Sequence, residues 1–151
     1  MKLAEALAER GDCQKRIEDL KARLLRCAKV QEGEKPAEDP ADLLAELDRI
    51  FGRLLELVTS INRANAATSF EGPKTVSDAI AERDVLGKKR DLLEAVADAA
   101  SARQDRYSKS EVKFIATVPV GELQKQKDRL SKEYRELDTK LQELNWKTDI
   151  I

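Results

Sequence analysis

The chain has 151 residues, the size of one domain with a core of its own, and we predict a single domain over residues 1–151. Charged residues make up 38% and aromatic residues 4% of the chain, which is typical of long amphipathic helices or coiled coils and argues against a β-rich fold. The net charge of -1 excludes recruitment of nucleic acid or anionic lipid by a bulk electrostatic field.

The first residues indicate a cytoplasmic protein. Acids and bases stand within MKLAEALAERGDC where a signal peptide needs an apolar block, and no apolar run is long enough for a transmembrane helix. Cys13 and Cys27 lie fourteen residues apart on the first predicted helix, roughly 21 Å at 1.5 Å per residue, so they cannot bridge within the chain. We interpret both as small core residues; the alternative is an intermolecular or reactive thiol.

Two helices are predicted in the first half of the chain, over residues 3–30 and 40–66. The first has a seam of alternating three- and four-residue spacing, interrupted at Arg10, and this seam needs a partner helix. The second opens with Asp39 as a cap and Pro40 at its first position. Its apolar stripe, from Leu43 to Ile61, is wider than a two-stranded seam requires, which indicates more than one neighbour.

Two further helices are predicted over residues 76–100 and 120–146. Arg83 and Arg90 fall near the inward seam of the third helix and need acidic partners or contact with water. The fourth helix has leucines at near-heptad spacing and alternating charges on its outer faces. The four matched helices predict an all-α fold, namely an elongated antiparallel four-helix bundle or coiled coil with one short extended segment before the last helix.

That extended segment, residues 111–118 with the sequence EVKFIATV, is rich in β-branched residues and is the only strand candidate. A lone strand leaves its backbone groups unpaired, and such an edge tends to recruit the same segment from another subunit. We therefore predict a homo-oligomer, a dimer in its simplest form, whose contact residues are Val112, Phe114, Ile115 and Val118. The alternative is an extended strap packed over the helices of its own chain.

A polar loop precedes this segment. Arg103, Arg106, Tyr107 and Lys109 are candidate ligands for a phosphate or carboxylate, because guanidinium groups donate paired hydrogen bonds to such anions. The competing interpretation is that these side chains form salt bridges to acidic helix ends and hold the segment in place.

Most catalytic and metal chemistry is excluded by residue type. Without histidine the chain lacks the commonest general base and zinc ligand, and its six glycines are scattered, so there is no phosphate-binding loop. We predict no enzyme activity, no metal site and no cofactor. Lys88, Lys89 and Arg90 form a basic triplet, but acids lie among the basic residues, so no nucleic-acid partner is predicted.

The motifs INRANAAT, AERDVL, RQDRYSKSEVKF and LSKEYRELDTKLQELNW, together with KVQEGEKPAEDP, resemble those of the septicolysin and septicolysin-like family of small bacterial proteins. The resemblance spans nearly the whole chain. It implies an α-helical protein of poorly established role, and the family name implies a membrane-damaging activity. It carries no assigned active-site residues.

The sequence thus favours a non-enzymatic, self-associating helical scaffold or binding protein. The first alternative is a cytolysin made by rearranged amphipathic helices, the only case in which a membrane is a partner. The second is a small-anion binder or enzyme centred on residues 103–109.

Overall fold

The computed structural model describes residues 1–102 and 112–150, and it contains four helices. They are α1 (Leu3–Cys27), α2 (Pro40–Ala67), α3 (Val76–Ser101) and α4 (Val120–Lys147). The described residues form no β-strand, only two isolated bridges that pair Lys2 with Asp149 and Ser69 with Thr75. The predicted all-α class, the four helices and the non-helical segment before the last of them are confirmed.

The helix ends follow the local signals in the sequence. The Asp39 carboxylate accepts a hydrogen bond from the Ala41 amide at 3.0 Å, and Pro40 occupies the first turn of α2, as its sequence predicted. Helix α1 differs from its prediction because it ends at Cys27, three residues before Val30. Cys27 is the last buried position of its seam, so the residues that follow have no core contact to offset the entropy of staying helical.

The chain folds as two compact units. The first comprises Met1–Thr75 with Glu143–Ile151, and the second comprises Val76–Gln142. The first unit therefore contains α1, α2 and the C-terminal residues, and the second contains α3 and most of α4. Each unit is built on a pair of helices.

The first unit buries an apolar core between α1 and α2. Its buried members from α1 are Leu3, Ala6, Cys13 and Leu20, and those from α2 are Leu43, Ile50, Leu57 and Ile61. Burying a Leu or Ile side chain contributes about 1.5–3 kcal/mol, so this seam is the main source of stability of the unit. Cys13 and Cys27 are both buried free thiols, which agrees with their interpretation as core residues.

Arg10 interrupts the α1 seam, as the sequence indicated. Its Nε atom is buried, and no described residue accepts a hydrogen bond from it. A buried donor without a partner costs about 1–3 kcal/mol. This position is therefore a weak point in the core of the first unit.

Ion pairs flank the core and show that α1 and α2 run antiparallel. Residues later in α1 pair with residues earlier in α2: Glu9 accepts from Arg53, and Arg16, further along α1, donates to Glu46 at 2.7 Å. Just before the start of α2, Glu38 accepts from Nε of Arg23 at 3.0 and 3.2 Å. The last of these pairs ties the connection between the helices to α1.

The two ends of the chain meet in the first unit. The Leu3 amide donates to the Thr148 carbonyl at 2.8 Å, and the Ile150 amide donates to the Met1 carbonyl at 3.0 Å. An ion pair between Lys2 and Asp149, 2.9 Å long, lies at the same place. Ile150 also packs against the core of the unit.

The second unit has its own antiparallel helix pair. Arg83 on α3 donates to Asp138 on α4 at 2.9 Å, and Lys127 lies 3.9 Å from Glu94. Between them the Arg90 guanidinium lies 4.8 Å from the centre of the Tyr134 ring, a cation–π arrangement. The two seam arginines, predicted to need acidic partners or water, both have carboxylate partners: Arg83 donates to Asp138 and Asp84, and Arg90 donates to Asp91 at 3.0 Å besides its contact with the Tyr134 ring.

Candidate interaction surface

The non-helical residues just before α4 carry the most exposed apolar side chains of the described chain. Val112 is 61%, Phe114 81% and Ile115 84% exposed, whereas Val118 is half-buried. We call residues 112–118 the apolar segment. A cluster of exposed large apolar side chains is typical of an interaction site and unusual for a surface in permanent contact with water.

The predicted strand does not form in the described part of this segment. Residues 112–116 have no regular secondary structure, and bends follow at 117 and 118. Among the described residues, the backbone of residues 113–118 makes no hydrogen bond. A β-ladder needs a second strand, and the described ranges of this chain contain none.

The predicted anion-binding residues Arg103, Arg106, Tyr107 and Lys109 lie outside the described residues. The same holds for Glu111, the first residue of the predicted extended segment. The anion-binding interpretation and its salt-bridge alternative therefore stay predictions.

A second candidate is a groove between α1 and α2, with a volume of about 350 Å³. It is lined by three carboxylates and three arginines, namely Glu9, Asp12, Glu46, Arg16, Arg49 and Arg53, above the buried Cys13 and Ile50. Glu9 accepts from Arg53 at 2.7 and 2.9 Å, and Glu46 accepts from Arg16. Because most of these charges already neutralise each other, the groove offers little attraction to a charged ligand.

Three carboxyl groups of the first unit have a lowered pKa. The hydrogen bonds from Arg53 lower the pKa of Glu9, those from Arg23 lower the pKa of Glu38, and the Lys2 ammonium lowers the pKa of Asp149. In each case the hydrogen bond is the largest cause and the opposite charge adds to it. The charged forms are thus favoured in the folded protein.

We expect the first unit to lose stability in acid. A carboxyl whose pKa is lower when folded contributes stability above its unfolded pKa, near 4.5 for Glu and 3.8 for Asp, and loses that contribution as pH falls through its folded pKa. The free energy of unfolding should therefore fall steadily from about pH 5 downward. Urea unfolding followed by the fluorescence of Trp146, the only tryptophan, measures this for the unit that contains it.

The variant Glu9→Gln with Glu38→Gln should flatten this pH dependence, because neither amide titrates. The matched control is Glu18→Gln, an exposed residue on α1 that makes no ion pair with the described residues. It should keep the slope of the original protein. An unchanged slope in the double variant would contradict the assignment of the acid sensitivity to these two pairs.

Neither a metal-ion cluster nor a membrane-spanning helix is found among the described residues. Within residues 1–102 and 112–150, no three Cys, Asp or Glu side chains stand close enough together to hold a metal ion. Of the helices described, none is both long and apolar enough to cross a bilayer.

A further apolar surface was not recognised as such from the sequence. Leu44, Phe51 and Leu55 on α2 are each more than half exposed. The sequence shows Leu44 and Phe51 as part of the wide α2 stripe, which predicted an additional neighbour for this helix, whereas Leu55 was not among the residues of that stripe. The width of the stripe was therefore the available signal, although it did not show which of its leucines would face α1.

Comparison with known proteins identifies relatives of the whole chain. The model of DUF6847, a family of unknown function, matches residues 10–150. The crystal structure of a functionally unknown conserved protein from Corynebacterium diphtheriae has 48% sequence identity and a TM-score of 0.92, and the match covers 100% of this chain and 99% of that one. No curated protein sequence matches the chain.

The resemblance to septicolysin is wrong. The family that matches over residues 10–150 is DUF6847, and the similar crystal structure is described only as that of a functionally unknown conserved protein. Neither points to a cytolysin. The membrane-damaging activity was implied by the resemblance alone, and it is removed with it.

Proposed function

The chain belongs to DUF6847, a family of unknown function, and we propose that it is a non-enzymatic helical protein that self-associates through the apolar segment, residues 112–118. The observation that carries the proposal is the exposure of Phe114 and Ile115, which are adjacent and both more than four-fifths exposed. The partner is a second copy of the chain.

The apolar side chains supply the driving force. Removing a Phe or Ile side chain from water contributes about 1.5–3 kcal/mol, and in a symmetric pair each of the two copies buries both. Association costs about 4–15 kcal/mol in lost translation and rotation, so the gain from these side chains is of the same order as the cost. A dimer built on this contact alone should therefore be weak, with a dissociation constant in the micromolar range or above.

The backbone supplies the reason for a like partner. Within the described ranges, residues 113–118 have neither helical nor ladder hydrogen bonds, and their β-branched and aromatic side chains favour an extended conformation. Two copies related by a twofold axis present the same edge to each other, so each segment provides the strand that the other lacks.

The test is the assembly mass of Ile115→Asp and Phe114→Asp, measured by light scattering over a range of concentrations. A buried carboxylate without a partner is strongly unfavourable, so both variants should lose the contact made by this segment and have a lower mass than the original protein at the same concentration. Leu92→Asp is the matched control, because Leu92 is also an exposed apolar residue of the second unit but lies on α3. It should leave the mass unchanged.

A protein that is monomeric over the whole concentration range would overturn the proposal. So would assembly that persists unchanged in both Ile115→Asp and Phe114→Asp. Circular dichroism of each variant shows that the helices are intact, which separates loss of contact from loss of fold.

A further inference from the structure

Helix α2 has two apolar faces, and only one of them packs against α1. The inner face carries Leu43, Ile50, Leu57 and Ile61, which are buried in the core of the first unit. The outer face carries Leu44, Phe51 and Leu55, which are each more than half exposed. Their spacings of seven and four residues place these three side chains within about 40° of one another around the helix.

The charges beside the outer face all lie on one side of it. Asp48 and Arg63 are exposed, and at 100° per residue both project from the flank away from α1, whereas the flank towards α1 is apolar, with Leu47 and Leu54. Neither Asp48 nor Arg63 makes an ion pair with any residue of the described ranges. Two exposed, unpaired, opposite charges thus border one apolar surface.

Their positions along the helix match a twofold axis. Asp48 and Arg63 are fifteen residues apart, roughly 22 Å, and the point midway between them lies next to Leu55, in the outer face itself. In an antiparallel pair of identical helices related by such an axis, equal flanks face each other. Asp48 then lies opposite the partner's Arg63, and by symmetry the pair occurs twice.

The direction of the two helices follows from which flanks meet. In a parallel pair the flank with Asp48 would instead face the apolar flank of the partner, which leaves the carboxylate without a partner. The charges thus favour the antiparallel arrangement.

We propose that the outer face of α2 packs against the same face of a second copy, with the two helices antiparallel about a twofold axis beside Leu55. This contact lies in the first unit and does not depend on the apolar segment at residues 112–118, which lies in the second unit. It is a separate surface with its own partner geometry.

Charge exchange tests the register. Asp48→Arg places two arginines opposite each other, and Arg63→Asp places two carboxylates opposite each other, so either variant should weaken dimerisation about tenfold or more, by analogy with like-charge pairs at other interfaces. The double variant restores opposite charges and should recover the original dissociation constant. Sedimentation of the original protein, the two single variants and the double variant measures their dissociation constants. Arg49→Asp, an exposed α2 charge away from the outer face, is the control and should have no effect.

Cross-linking tests the axis without requiring a strong dimer. In Leu55→Cys, the new thiols of two copies lie near each other at the axis, and mild oxidation should give a covalent dimer. Leu25→Cys is the control, because Leu25 is as exposed as Leu55 but lies on α1. The two natural cysteines are buried in both variants.

Three results would overturn the proposal: equal cross-linking of the two cysteine variants, no recovery in the double charge variant, or no effect of the single charge variants.

The outcomes also separate the α2 contact from the contact through the apolar segment. Cross-linking at Leu55→Cys that persists in the background of Ile115→Asp supports the α2 contact and counts against any need for the apolar segment. Loss of assembly in Ile115→Asp without cross-linking at Leu55→Cys supports the apolar segment alone.

Discussion

Replacing Leu57 by alanine should lower the free energy of unfolding of the first unit by about 2–5 kcal/mol. Leu57 is 2% exposed and belongs to the core between α1 and α2. Truncation removes three buried carbon atoms and leaves a cavity, and the cost includes both the lost transfer free energy and the lost contacts around the cavity. Urea unfolding followed through Trp146 measures the change in this unit.

The same substitution at Leu25 is the matched control. Leu25 lies on α1 and is 68% exposed, so it has little buried surface to lose, and alanine is a good helix former. Leu25→Ala should change the free energy of unfolding by no more than about 0.5 kcal/mol. If the two variants were equally stable, the α1–α2 seam would not be the main source of stability in this unit.

Replacing Gly87 by leucine should destabilise the second unit. Gly87 is buried on α3, and a Cβ atom built there would lie 3.1 Å from Cε2 of Tyr134 on α4 and 3.7 Å from the Arg90 guanidinium. A larger side chain must displace the ring and with it the cation–π contact, at a cost of about 1–3 kcal/mol. The gain of about 1 kcal/mol from removing a helical glycine offsets only part of it.

Gly11→Leu should have the opposite sign. Gly11 lies inside α1, and a Cβ atom there would meet no other atom within 4 Å. Only the gain in helix propensity remains, so this variant should be more stable by roughly 0.5–1 kcal/mol. Thermal unfolding followed by circular dichroism should show one melting temperature falling and the other rising. Shifts of the same sign would contradict the close approach of α3 to Tyr134.

The helices could be predicted because their ends carry local signals. Asp39 with Pro40 starts α2, and Pro119 precedes α4, and such caps act through neighbouring backbone groups that the sequence places unambiguously. The end of α1 was three residues off because it depends on a tertiary property, namely where the buried seam stops at Cys27. Boundaries fixed by packing cannot be read from propensity alone.

The sequence predicted that certain side chains need partners, but not which residues those partners are. The sequence indicated that Arg83 and Arg90 need partners, but the choice of Asp138 for one and the Tyr134 ring for the other depends on the register between α3 and α4. The exposure of Phe114 and Ile115 likewise could not be predicted from the sequence. Their β-prone pattern predicted a non-helical segment, and only the fold shows that these two side chains remain uncovered.

The mistaken family resemblance has a related cause. Its motifs, such as LSKEYRELDTKLQELNW, come largely from charged helices, where many different residues satisfy the same solvent-facing positions. Short strings of this kind are typical of many amphipathic helices, so they are weak evidence of common ancestry. The match over residues 10–150 uses the whole pattern, including the buried positions, and is correspondingly more specific.

The meeting of the chain ends bears on the order of folding. A connection of only twelve residues, 28–39, joins α1 to α2, whereas Lys2 and Asp149 are 147 positions apart. Closing the longer loop costs about 2 kcal/mol more in chain entropy than closing the shorter one. The α1–α2 hairpin therefore provides the natural nucleus, and the docking of residues 148–150 onto Met1 and Leu3 should come late, after α3 and α4 have shortened the effective path between the ends.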